Sequence, residues 1–177
     1  FTLPINYDIL PSPCYVIDEE RFRKNLTLIK HVSTESGAEI LLAFKGFAMW
    51  GIFPILRECI SGAAASSANE ARLCFEEIGS PAHTYSPAYK EEEFGSILKY
   101  SSHITFNSLA QYRKYSTILS KYSKSISPGL RINPEFCEIS HDIYNPCSPG
   151  SRLGIVANDL VEGIPEGIEG LHFHVLF

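Results

Sequence analysis

Strand-like and helix-like segments alternate along this chain of 177 residues, and the alternation restricts the fold more than any other feature. Regular alternation indicates a parallel sheet, because parallel strands need long crossover connections that are usually helical. The two folds that satisfy this pattern are a doubly wound sheet and a (β/α)8 barrel. Six strands are predicted, at 39–45, 62–66, 82–89, 103–108, 128–135 and 167–177.

Helices are predicted between these strands from apolar spacing and from capping residues. Asp18 can cap a helix over 19–35, and Gly37 lies just past its end, where helices commonly stop. An irregular loop rich in Pro, Asn and Ser covers about 133–157 and leads into a short helix. The other helices are predicted at 51–60, 69–79, 90–100 and 109–124.

The strand ends favour the barrel over the doubly wound sheet. No GxGxxG motif follows the first strand, so a dinucleotide-binding fold loses its main support. Polar residues collect at successive strand ends instead, as they do on the C-terminal face of a barrel. We therefore predict an α/β fold of the (β/α)8 TIM barrel type. The polar strand-end residues are Lys45, Ser66, Ser67, Ser86, Asn107, Arg131 and His174.

Only six strands are found, whereas a closed barrel needs eight strands and about 250 residues. The chain also ends at an apolar strand, with no helix to cover it. We therefore expect residues 1–177 to be one partial barrel domain, the front part of a longer protein, with no second domain within the chain.

Composition excludes several classes of protein. Hydrophobic residues make up 45% of the chain and charged residues 20%, which argues against disorder. The net charge of −5 and the lack of a basic run argue against nucleic-acid binding, and would suit a cationic substrate. No segment approaches the ~20 apolar residues of a membrane span. The five scattered cysteines predict a reduced, cytoplasmic protein without a zinc site.

Lys45 lies at the end of an apolar run, EILLAFKGFAMW at 39–50, where burial of an unpaired ammonium would be costly. A desolvated lysine has a lowered pKa, and its neutral amine can form a Schiff base with an aldehyde such as pyridoxal phosphate (PLP). Phe44, Phe47 and Trp50 would supply apolar surroundings. The alternative is a lysine at a strand end whose ammonium reaches water.

His172 and His174 are two residues apart, so on a strand they point to the same side. Such a pair can bind metal, but no third ligand suggests itself, and we predict no metal site. Core histidines bonded to the backbone are an alternative.

Arg131 lies between Leu130 and Ile132, and a buried guanidinium needs a carboxylate or phosphate partner. A structural ion pair and a cofactor contact are equally compatible with this position.

Other polar residues have simpler interpretations. Arg152 is interpreted as a structural anchor for the long loop, with a surface or site role as alternatives. The acidic run Glu91–Glu93 is interpreted as a solvated helix start that suits the helix dipole. Each of the remaining strand-end residues is expected to cap a helix more readily than to line a site; they are Ser66, Ser67, Ser86 and Asn107.

Over essentially all 177 residues the chain resembles the carboxynorspermidine decarboxylases, which belong to the alanine racemase-like, fold-type III PLP enzymes. The lysine segment and GLHFH are shared widely across that superfamily, whereas HTYSPA and NPCSPGSRLGI are more particular to this branch. The segments that carry the resemblance, in order, are PSPCYVIDEERFRKN, LLAFKGFA, HTYSPAYKEEEFG, ITFNSLAQY, GLRINPE, YNPCSPGSRLGI and IEGLHFH.

The resemblance implies an N-terminal PLP-binding barrel, a C-terminal β-domain that is absent from this chain, and a homodimer. It implies decarboxylation of carboxynorspermidine or carboxyspermidine to the corresponding polyamine. By position, Lys45 would hold PLP as an internal aldimine, His174 would lie against the cofactor ring, and Arg131 would lie in the cofactor site.

The chain departs from the family at HFHVLF and at the alanines of GAAASS. The phosphate loop, the acidic partner of the pyridine nitrogen and the substrate-binding acids are expected beyond Phe177, so we expect the fragment alone to be inactive. One alternative is another fold-type III decarboxylase or racemase, acting on diaminopimelate, ornithine, arginine or alanine. A second is a non-catalytic barrel that carries PLP.

Overall fold

The computed structural model describes residues 6–122, 125–139 and 141–175. Contacts between α-carbons divide the chain into two compact units. The smaller unit contains the described residues up to Ile40 together with Met49–Ser61. The larger unit contains Leu41–Ala48 and the residues from Gly62 onward. All strands of the sheet belong to the larger unit.

The sheet consists of six parallel strands that pair in the order of the sequence. A doubly wound sheet reverses its strand order, whereas a barrel adds each strand beside the previous one. The observed order therefore confirms the α/β sheet of barrel type that the sequence predicts. The strands are β1 (Leu42–Ala43), β2 (Ala63–Ala65), β3 (Ala82–Tyr85), β4 (Ser101–Phe106), β5 (Ser127–Arg131) and β6 (Gly170–His172).

The described residues contain five α-helices, and α3 continues as a π-helical turn over Cys74–Ile78. Within the described ranges, no helix has both the length and the apolar character that a bilayer span requires. The helices are α1 (Glu19–Ser36), α2 (Phe53–Leu56), α3 (Ala68–Leu73), α4 (Glu91–Tyr100) and α5 (Leu109–Leu119).

Helix α1 begins and ends where its capping residues predict. The Asp18 carboxylate accepts a hydrogen bond from the Arg21 N–H at 3.0 Å, which satisfies a free donor of the first turn. Gly37 follows the helix with a φ of 71°, a conformation that a residue with a side chain adopts only with strain. These two residues therefore set the length of α1.

The core of the larger unit lies between the sheet and helices α4 and α5. Phe94 of α4 stacks on Tyr115 of α5 with ring centroids 4.0 Å apart, and Phe106 of β4 packs beside them. The buried Tyr115 hydroxyl donates to the Tyr89 carbonyl at 2.8 Å. Because successive strand residues point to opposite faces, this packing leaves the other face of the strands free to line a cleft.

Several elements differ in length from the prediction. Strand β1 has only two residues, because the N–H groups of Gly46 and Phe47 both donate to the Ala43 carbonyl and turn the chain. Strand β6 ends at His172, and residues 176–177 lie outside the described part. The helix predicted at 51–60 is reduced to α2, preceded by a 3₁₀ turn.

Candidate active site

The strand ends of the larger unit surround a cleft of about 240 Å³. Residues from β1, β2, β3, β5 and β6 contribute to it, so the predicted gathering of polar strand ends is present in part, since Ser67, Ser86 and Asn107 are not among the lining residues. No Asp or Glu is among the lining residues. The polar lining residues are Lys45, Ser66, Tyr85, Arg131, His172 and His174, and the apolar ones are Ala43, Ala64, Ala65, Pro146 and Leu153.

Lys45 lies in the turn that follows β1 and lines the cleft, but its side chain is exposed. The predicted position at the rim of the strand ends is therefore correct, and the predicted desolvation is wrong for the described structure. The reason is local, since the short strand β1 is an edge strand with one hydrogen-bonded neighbour. Trp50, expected to shield the amine, is itself 63% exposed.

Arg131 is the most buried cation of the cleft, with 6% of its surface exposed. Its Nη1 donates to the Tyr85 hydroxyl oxygen at 2.6 Å. Within the described residues Arg131 forms no ion pair with a carboxylate, so the structural ion pair considered for it is not observed there. The guanidinium therefore keeps its full positive charge beside the cleft.

Asn107 connects the hydrogen-bonded pair of Arg131 and Tyr85 to the loop that follows β5. Its Oδ1 accepts from the Tyr85 hydroxyl at 2.9 Å and from the Gly154 N–H at 2.9 Å, while its Nδ2 donates to the Arg152 carbonyl at 2.8 Å. Asn107 thus does not cap a helix with its side chain. The Arg152 side chain is exposed, and its backbone carbonyl anchors the loop.

His172 and His174 both line the cleft, as their spacing predicts. Burial, reinforced by the positive charges of Arg131 and Lys45 and by repulsion from His174 when that ring is protonated, lowers the pKa of His172 from 6.5 to about 4. Burial, together with the positive charges of Lys45 and Arg131, also lowers the pKa of His174. The Nε2 atom of His172 is buried and has no hydrogen-bond partner among the described residues. Both rings are thus neutral at pH 7, and one has an unused polar atom.

Tyr85 is the site residue that sequence reasoning missed. Its ring stacks on His172 with centroids 5.1 Å apart and planes 26° apart. The available signal was the alternation of β3, which places Tyr85 on the face opposite to the buried Ala82 and Thr84. The prediction instead considered the next residue, Ser86, whose hydroxyl donates to the carbonyl of Ala88.

The other polar strand-end residues have structural contacts. Ser67 caps α3 by accepting from the Glu70 N–H at 3.2 Å, as expected for a helix cap. Ser66 lines the cleft, and its backbone N–H donates to the Glu70 carboxylate. Of the acidic run at the start of α4, Glu91 pairs with Lys114 at 3.0 Å in an exposed ion pair. In the described part of the chain no three His, Cys, Asp or Glu side chains cluster as metal ligands would.

Comparison with known proteins gives relatives that extend over nearly the whole chain, although no protein-family model matches it. The chain is 45% identical over 170 residues to the carboxynorspermidine/carboxyspermidine decarboxylase of Campylobacter jejuni, covering 96% of this chain and 44% of the relative. The crystal structure of carboxynorspermidine decarboxylase from that organism, complexed with norspermidine, superposes with a TM-score of 0.81 at 41% identity. The superposition covers 94% of this chain and 42% of the solved one. The chain is homologous to a part of the carboxynorspermidine decarboxylases.

A second relative has a different name. The carboxyaminopropylagmatine decarboxylase of Synechocystis sp. is 44% identical over 167 residues, which are 94% of this chain and 43% of that protein. The chain thus spans less than half the length of the carboxynorspermidine decarboxylase and of this relative. The diaminopimelate decarboxylase of Helicobacter pylori, complexed with L-lysine, superposes with a TM-score of 0.75 at 19% identity, which shows a shared fold.

Proposed function

We propose that this chain contributes the part of the active site that contains the cofactor-binding lysine in a PLP-dependent decarboxylase of carboxynorspermidine or carboxyspermidine. The observation that carries the proposal is the position of Lys45, which reaches the same cleft as Arg131, His172 and His174. In this proposal Lys45 holds the cofactor covalently, His174 lies against its ring, and Arg131 contributes to binding it. The homology to carboxynorspermidine decarboxylases supports this assignment.

The side chains of the cleft fit PLP in their charge and chemistry. PLP supplies an electron sink for the electron pair left when carbon dioxide departs from an amino acid. An exposed lysine amine can be reached by an aldehyde, and neutral imidazole rings offer flat apolar faces. Apart from its bond to Tyr85, the Arg131 guanidinium has N–H groups that can donate to an anionic or phenolic oxygen.

The proposed substrate is a small cationic polyamine precursor. The names of the C. jejuni and Synechocystis relatives both describe decarboxylases of carboxylated polyamine precursors, which supports this class of substrate. The cleft lining contains no carboxylate that could bind an ammonium group. We therefore propose that the acidic groups for the substrate amines are contributed by residues outside this cleft lining.

The assembly proposed for the whole protein is a cytoplasmic homodimer, with residues 1–177 forming part of its PLP-binding barrel. Sedimentation velocity of the protein that contains these residues tests the dimer. A monomer at micromolar concentration would contradict it.

The activity is tested by measuring carbon dioxide release from the protein that contains these 177 residues, with PLP present. Carboxynorspermidine and carboxyspermidine should be decarboxylated, and the variant Lys45→Ala should lose activity. Carboxyaminopropylagmatine is the second candidate substrate, which the Synechocystis relative favours. Preferential turnover of diaminopimelate, ornithine or arginine, or racemisation of alanine, would overturn the proposed substrate. Binding of PLP without any turnover would indicate a carrier of the cofactor.

A further inference from the structure

We propose that Tyr85 is a positioning residue for Arg131, whose guanidinium it holds at the cleft through a neutral hydroxyl in place of an acidic partner. The hydroxyl oxygen of Tyr85 accepts from Arg131 Nη1 at 2.6 Å, and the guanidinium carbon lies 5.0 Å from the centroid of the tyrosine ring. This inference builds on the proposed function, because it concerns how a residue proposed to bind the cofactor is held.

The direction of the hydrogen bonds is determined by the atoms that surround Tyr85. Asn107 Oδ1 must face the Gly154 N–H and its Nδ2 must face the Arg152 carbonyl, so the amide has only one satisfactory orientation. The Tyr85 hydroxyl has a single proton, and it donates that proton to Asn107 Oδ1. Its oxygen lone pairs are therefore available to the guanidinium of Arg131.

Tyr85 holds Arg131 without neutralising it. Burial raises the pKa of Tyr85 above its usual value, although the hydrogen bond from Arg131 opposes this effect, so the hydroxyl stays protonated at pH 7. A carboxylate at the same place would cancel the charge of the guanidinium. The neutral hydroxyl leaves that charge directed at the cleft, where no acidic side chain is among the lining residues.

The loop to which Asn107 is bonded is itself held by backbone hydrogen bonds at the end of β5. The loop residue Ile155 donates to the Arg131 carbonyl at 2.9 Å and accepts from the Asn133 N–H at 2.9 Å. Gly154 lies so close to β5 that a Cβ would meet Asn133 N at 2.9 Å. Asn107 is thus bonded to a loop segment that is itself fixed on the strand of Arg131.

The test is the variant Tyr85→Phe, which keeps the ring on His172 and removes only the hydroxyl. Tyr112→Phe is the matched control, because the Tyr112 hydroxyl donates to the Glu166 carbonyl outside the cleft. Two quantities are measured on the protein that contains this chain. They are the pKa of His172 by NMR titration, which also responds to His174 and Lys45, and the dissociation constant of PLP by absorbance.

In Tyr85→Phe the guanidinium should leave its position, water should enter, and the pKa of His172 should rise by about half a unit or more. PLP binding should weaken roughly tenfold, while Lys45 still forms the adduct. The control Tyr112→Phe should change neither quantity. In an Arg131→Met background, Tyr85→Phe should add no further change, because the hydroxyl then has no guanidinium to hold.

Two results would overturn the inference about Tyr85. One is a Tyr85→Phe variant that matches the unsubstituted protein and Tyr112→Phe in both quantities. The other is an effect of Tyr85→Phe that persists in full without Arg131. If the unsubstituted protein fails to bind PLP at all, the proposed function fails, whereas the His172 titration still decides the role of Tyr85.

Discussion

The cleft is lined by two cationic side chains without an acidic partner among the described residues, and by two histidine rings that are neutral at pH 7. Within the described residues, neither Lys45 nor Arg131 forms an ion pair with a carboxylate, and both cations lower the pKa of His172 and His174. Such a site favours an anionic ligand group and disfavours an ammonium group. The residues therefore suit the cofactor side of the proposed reaction better than the amine side of the substrate.

The pKa of His172 predicts how stability depends on pH. In the folded protein this pKa is lowered from 6.5 to about 4, so between these values the unfolded chain binds more protons. The contribution of His172 to stability is therefore complete above pH 6.5 and is lost as the pH falls towards 4. The unfolding free energy is expected to fall between pH 7 and pH 4.5, and in the variant His172→Gln this fall should be smaller by about 1–2 kcal/mol. Urea unfolding at both pH values measures this difference, and the same difference in both proteins would disprove the shift.

Among the described elements, local sequence patterns predict the order of the strands and the existence of helices α1 to α5. Caps such as Asp18 and Gly37 act within one turn, so the sequence alone predicts them well. The length of β1 was overestimated because hydrogen bonds to a neighbouring strand, rather than apolar pattern, decide where an edge strand ends. The same limit applies to Lys45, whose exposure depends on that turn.

The loop that anchors Asn107 should depend on the absence of a side chain at Gly154. Gly154 has a φ of 88°, and an added Cβ would meet Asn133 N at 2.9 Å and the carbonyl carbon of Ile132 at 3.0 Å. Gly150 has a similar φ of 80° but open space around it, so it is the matched control. Gly150→Ala should destabilise by about 1 kcal/mol from backbone strain alone, and Gly154→Ala by roughly twice that or more. Equal losses of unfolding free energy would show that the close approach is absent.

A glycine inside α4 offers a stabilising substitution. Gly95 is exposed in the middle of this helix, and a Cβ there would meet nothing within 4 Å. Gly95→Ala should raise the unfolding free energy by about 0.5–1 kcal/mol, because alanine loses less backbone entropy in a helix. Gly37→Ala, at a φ of 71°, should lower it instead. Calorimetric melting of both variants measures these changes in stability. A lower unfolding free energy for Gly95→Ala would contradict the position of Gly95 within a helix.

Across the whole molecule, residues that stabilise the fold are separate from those proposed to act in chemistry. The large aromatic side chains of the core lie on the helix side of the sheet, whereas Lys45 and His174 lie in the cleft. The net charge of −5 does not describe that cleft, whose charged lining residues are cations. The alternation of strands and helices therefore predicts the fold class, whereas the overall composition does not predict the charge of the site. Their positions at predicted strand ends place Lys45, Arg131 and His174 there, and the spacing of two adds His172, whereas the contact between Tyr85 and Arg131 required the structure.

This separation predicts opposite outcomes for two alanine substitutions. Phe94 is 1% exposed and stacks on Tyr115, so Phe94→Ala should destabilise by about 3–5 kcal/mol. Lys45→Ala should change the unfolding free energy by less than about 0.5 kcal/mol, since the side chain is exposed and has no ion pair within the described residues. Guanidinium unfolding measures both. A large loss of unfolding free energy in Lys45→Ala would show that this residue stabilises the fold.

Borohydride labelling tests directly whether PLP attaches covalently to Lys45. The protein that contains this chain is incubated with PLP, reduced, digested and analysed by mass spectrometry. We expect a reduced PLP adduct on the peptide with Lys45, its loss in Lys45→Ala, and its persistence in Lys99→Ala, where an exposed lysine of α4 is removed. An adduct only on another lysine, or no adduct at all, would contradict the covalent attachment of PLP to Lys45.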